Sequence, residues 1–178
     1  MTKHWIVSFG ILGAVIAAVI ATAVVMNKSD EHADTPHYHA GFQVYVNDEL
    51  QDFADLKYMK MEPCDTAKHG TEHTPEDEQL EKAHLHDLNG DVMHAHRDGA
   101  TWGDLFTNME YDLPEGLIVA YINGQIVGGD ILTQVIQPYD SLVMFIGSNT
   151  HIPDKVAQAV TVERIKQVEA QSEDCGKD

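Results

Sequence analysis

The stretch His84-Leu85-His86-Asp87-Leu88-Asn89-Gly90-Asp91-Val92-Met93-His94-Ala95-His96 decides how this chain is read, because two His-X-His pairs flank one turn signal. On a β-strand, residues two apart share a face, so each pair presents two imidazoles side by side. A three-residue loop Leu88-Asn89-Gly90, with Gly90 left-handed, sets His84 opposite His94, Leu85 opposite Met93 and His86 opposite Val92. All four histidines then share one face, and Leu85, Met93 and Ala95 the other. A two-residue Asn89-Gly90 turn would split the pairs across the ribbon. Burial selects the first register, since it gathers the apolar side chains on one side.

A third pair, His37-X-His39, opens a segment in which Tyr38, Ala40, Phe42, Val44 and Val46 alternate with His37, His39, Gly41, Gln43 and Tyr45. That period predicts a half-buried strand with both histidines on its polar face. Opposed residues on paired strands place their Cβ atoms about 5 Å apart, close enough for imidazoles to converge on one ion. The candidate metal ligands are therefore His37, His39, His84, His86, His94 and His96. Asp87, Asp91 and Asp98 are expected to orient rings through their second nitrogen. An all-imidazole set suits copper or zinc, with raw affinity favouring copper. Met59, Met61 and Met93 are possible thioether ligands, although methionine more often fills a core. His69 and His73 sit in a Gly- and Pro-broken stretch and read as solvated, His32 and His151 are isolated, and His4 lies at the edge of an apolar run.

That run, from Trp5 to Met26, is uncharged; at 1.5 Å per residue it reaches about 33 Å, enough to cross a bilayer core. It predicts a single-pass membrane anchor over 5–26, with 1–4 cytoplasmic, 27–36 a tether and the remainder extracytoplasmic. Ala21-Thr22-Ala23 also offers a signal-peptide cleavage site. The positive-inside rule is nearly silent, so the orientation rests on the make-up of the His-rich domain. Two cysteines, Cys64 and Cys175, form no Cys-X-X-Cys, which argues against a dithiol catalyst. In an oxidising compartment they are candidates for a disulfide. The formal net charge of −18 repels nucleic acid and anionic lipid and attracts cations.

The remaining segments read as mixed. Asn47-Asp48 is a turn, with Glu49–Phe53 as a returning arm. Residues 62–82 are a polar, acidic insertion, with one helical turn around 76–83. Thr101-Trp-Gly-Asp104 has capping-box spacing and starts a helix burying Leu105, Phe106 and Met109. Leu117–Ile122 and Gln125–Val127 form a hairpin across Asn123-Gly124, Ser141–Ile146 is a final strand, and Pro153–Ala170 is an amphipathic helix anchored by Val156, Val160, Ile165 and Val168. The whole predicts an α+β domain over 37–147, with a C-terminal helix and tail over 148–178.

Thr101–Phe106, Tyr121–Val127 and Pro138–Ile146 resemble the grasped helix and last strands of ubiquitin-like sulfur-carrier proteins. The resemblance covers residues 40–53 and 101–147 and implies a β-grasp-like mixed sheet, here with an inserted His-rich hairpin. Those carriers end in Gly-Gly, whereas this sequence ends Cys-Gly-Lys-Asp, so their chemistry is not carried over. His37-X-His39, the 84–96 stretch and Gly99–Phe106 together are similar to membrane-anchored, His-rich proteins of archaea and candidate-phylum bacteria. That similarity implies a shared fold and supplies no activity.

Three functions follow. The first is metal capture, storage or delivery. The second is a ubiquitin-like module that binds a protein partner through a pH-sensitive histidine face. The third is a metalloenzyme, for which no His-Glu-X-X-His or nucleophile constellation is present and no catalytic residue is assigned.

Overall fold

Tyr38–Val46 (β1) is the strand on which the molecule is built, and it is buried on both faces along most of its length. In the computed structural model, which describes residues 36–60 and 74–172, β1 pairs in parallel with Ser141–Ile146 (β6). On its other edge it pairs antiparallel with two segments: its first half with Val92–Ala95 (β3), its last residues with the short strand Glu49–Leu50 (β2). Ile118–Ile122 (β4) runs antiparallel to β6, and Gln125–Ile126 (β5) closes the far edge. The result is a six-stranded mixed sheet in an α+β fold, ordered β2-β1-β6-β4-β5, with β3 on β1. These residues belong to one compact unit.

Alternation along the strands sorts side chains onto two covered faces. Tyr38, Ala40, Phe42 and Val44 join Leu142, Met144 and Ile146 in the main core against the helix Trp102–Asn108 (α2). That helix starts as expected: Thr101 Oγ1 accepts from Asp104 N–H, and the Asp104 carboxylate accepts from Thr101 N–H. Trp102, Leu105, Phe106 and Met109 are all buried beneath it, each worth about 1.5–3 kcal/mol of transfer free energy.

The opposite face carries the histidines. The strand expected to be half-buried is instead buried on both faces, because C-terminal helices cover its polar face. Ile152–Val156 (α3) packs on Tyr45, Val143 and Phe145, and Val162–Ser172 (α4) brings Ile165 and Val168 onto Val92, with Val160 beside them. The single helix expected over Pro153–Ala170 is broken at 157–161. Thr161 starts the second piece, its Oγ1 accepting from Arg164 N–H at 3.2 Å. The break turns Val160 down onto Gly41, where any side-chain carbon would lie 2.6 Å from Val160 Cβ.

The 84–96 ribbon keeps the expected pairing at one point and departs from it beyond. His84 and His94 exchange both backbone hydrogen bonds, at 3.0 and 2.9 Å. Leu85 then bridges Met59 in parallel, and β3 pairs with β1 instead of completing a hairpin. The left-handed residues of the turn are Asp87 and Leu88, at φ 55° and 57°, not Gly90. Gly90 serves close approach: a Cβ there would lie 2.4 Å from the Ala54 backbone nitrogen. The Asn47-Asp48 and Asn123-Gly124 turns do take positive φ at both positions, as hairpin turns of this type require.

The expected helical turn near 76–83 is Pro75–Leu80 (α1), capped reciprocally by Thr74 and Asp77. The predicted anchor and its cleavage site, Cys64 and Cys175, Met61, and His4, His32, His69 and His73 lie outside the described residues. Among the described residues no helix is long and apolar enough to cross a membrane.

Candidate metal centre

The pairing of β1 with β3 brings the three histidine pairs together. His39 lies directly opposite His94 across the two strands, and His84 lies opposite His94 on the other side of β3. His94 thus sits at the centre of the cluster. Its ring centroid is 4.4 Å from those of His37 and His96, 4.5 Å from His39, 4.6 Å from His86 and 5.1 Å from His84. All six sequence-derived candidates are in one place, while His151 is exposed and lies near Asp154. Met59 and Met93 belong to the main hydrophobic core.

Among the described residues, two sets of three histidines could hold a metal ion: His37, His39 and His94, and His84, His86 and His94. Within each set the ligand nitrogens lie within 4.8 Å of one another. His39, His84, His86 and His94 are buried, whereas His37 is exposed and His96 half-buried.

Two rings are oriented so that a lone pair faces inward. His84 Nδ1 donates to the Leu80 carbonyl at 2.9 Å, and His86 Nδ1 donates to the Asp87 carboxylate at 2.6 Å, which leaves each Nε2 as the basic nitrogen. His86 Nε2 meets His94 Nδ1 in a very short contact. The Leu80 carbonyl is held by the core: Asn108 of α2 donates to the carbonyls of Gln79 and Ala83, fixing the turn that enters His84. At the other side of the cluster, Glu169 of α4 places Oε1 4.0 Å from His39 Nδ1 and accepts from the Tyr139 hydroxyl at 2.9 Å.

Of the carboxylates expected to orient rings, Asp87 does so. Asp91 instead forms a two-pronged pair with Arg164, at 3.0 and 2.9 Å, and Asp98 is exposed. Glu169 and the Leu80 carbonyl went unread in the sequence. Glu169 lies far along the chain on a helix whose facing depends on the break at 157–161, and a backbone carbonyl leaves no residue-type signal.

Burial first, and then the neighbouring imidazoles, push His39 and His84 down to about 3, and lower His94 in the same way. His39, His84 and His94 are therefore uncharged at neutral pH, each with a ring lone pair available. Three neutral ligands leave a divalent ion's charge in place, and the carboxylates of Glu169 and Asp87 stand where they offset it.

Comparison with protein-family models, with curated proteins and with solved structures finds no match to this chain, so the centre stands on its own residues and geometry.

Proposed function

We propose that this protein is a membrane-anchored, extracytoplasmic binding protein for a transition metal, copper or zinc, serving metal capture, storage or delivery. The observation that carries the reading is His94, a buried imidazole with five others ranged around it. Burying neutral polar rings costs free energy unless something satisfies them, and an ion ligated by their nitrogens does so. The donor set is all nitrogen, which suits Cu(II) and Zn(II) over the harder Mg(II) and Ca(II). The acidic surface concentrates cations near the site.

Burial favours this reading over a pH-sensitive contact face. Four of the six rings are out of reach of a protein partner. The sheet order, with the first and last strands parallel at its centre and α2 across one face, supports a β-grasp-like fold as the platform.

The test is equilibrium dialysis of the full-length chain in detergent against Cu(II) and against Zn(II). Near-stoichiometric binding is expected, abolished in the double variant His84→Ala, His94→Ala, with the circular dichroism of the fold retained. A folded chain that takes up neither metal would leave the interaction module as the better reading. Bound metal accompanied by hydrolytic or redox turnover would favour the enzyme.

A further inference from the structure

We infer that the cluster holds two metal ions: an inner one on His84, His86 and His94, and an outer one on His37, His39 and His94, with His94 bridging them through its two ring nitrogens. The inference rests on the metal-binding reading above and adds the number of ions and their unequal access.

Six imidazoles exceed the four ligands that zinc ordinarily takes. Among the described residues the nitrogens form two sets, each with its members within 4.8 Å of one another, and His94 is the residue common to both. Its Nδ1 faces His86. Its Nε2 is buried and has no hydrogen-bond partner among the described residues. The two in-plane lone pairs of an imidazole point away from each other, so one ring cannot give both nitrogens to a single ion. It can give one to each of two ions once its N–H proton has left to solvent. His96, 4.4 Å from His94, 5.3 Å from His37 and 5.8 Å from His84 between ring centroids, stands where it adds a fourth nitrogen to either ion.

The two positions differ in access. Every residue of the inner set is buried, whereas the outer set includes the exposed His37. The outer ion is the one a chelating partner can reach and remove, and the inner ion is retained. Such an arrangement suits delivery, with one held ion keeping the cluster ordered while the other exchanges.

Copper titration of the metal-free, full-length chain in detergent tests this. Two Cu(II) per chain are expected after gel filtration, with an electron paramagnetic resonance signal broadened and reduced by coupling between them. A chelator should remove copper in two phases of equal amplitude. His37→Ala, at an exposed position, should bind one Cu(II) with an uncoupled signal and lose the fast phase. One ion per wild-type chain would overturn the inference and leave the metal-binding reading standing, whereas no bound ion would overturn both. Two uncoupled ions would overturn the bridge, and two ions retained in His37→Ala would overturn the outer site.

Discussion

Lowering the pH of the metal-free protein should unfold it well before its carboxylates protonate. In the fold, His39 and His84 titrate near pH 3 and His94 is depressed as well, whereas an unfolded chain takes up these protons near pH 6.5. Between those values the unfolded state binds more protons, so stability falls as pH falls. It is fully present above about pH 6.5 and drains away toward about pH 3, at a limiting slope of about 1.4 kcal/mol per pH unit for each histidine. At pH 5.5 each has cost about 1.4 kcal/mol, and the three together about 4 kcal/mol, a large part of the 5–15 kcal/mol that holds a typical domain. Urea unfolding in chelator at pH 7.5, 6.5 and 5.5, followed by circular dichroism, measures it. His39→Gln should reduce the slope by about one proton. A stability that stays flat from pH 7.5 to 5.5 would refute the buried, neutral cluster.

Three further outcomes follow from the same geometry. Asp87→Asn removes the carboxylate that fixes the His86 ring and should weaken metal affinity about 10–100-fold, read by competition with a chromophoric chelator, without unfolding the chain. Gly41→Ala drives a methyl into Val160 and should cost about 1–3 kcal/mol in urea unfolding; since it lifts the segment that leads into α4, metal affinity should fall with it. Thr101→Ala removes one half of the capping box on α2 and should lower stability by about 0.5–2 kcal/mol, with metal affinity at neutral pH nearly unchanged.

Much of this arrangement was legible in the sequence because local physics fixes it. The capping box at Thr101, the Asn123-Gly124 turn and the strand at β1 are signals spanning a few residues, and each element appears where expected, although β1 is buried on both faces and not on one. The His84–His94 pairing was legible too, since only that register gathers apolar residues on one side. Gly90 misled because glycine answers two needs, positive φ and missing bulk, and the sequence does not say which. Here the Ala54 backbone demands the missing bulk, and Asp87 and Leu88 take the left-handed positions. The pairing of His39 with His94 and the approach of Glu169 join segments far apart in sequence. No local pattern encodes such contacts; they follow from the sheet order and from α4 folding back over it.

X-ray absorption at the metal edge of the zinc- or copper-loaded protein tests the central claim most directly. The account predicts a shell of nitrogen alone at about 2.0–2.1 Å, with the outer scattering of imidazole rings, lost when His94 is replaced together with His84. A sulfur shell near 2.3 Å, or an oxygen-dominated shell that persists in that double variant, would place the metal elsewhere and contradict it.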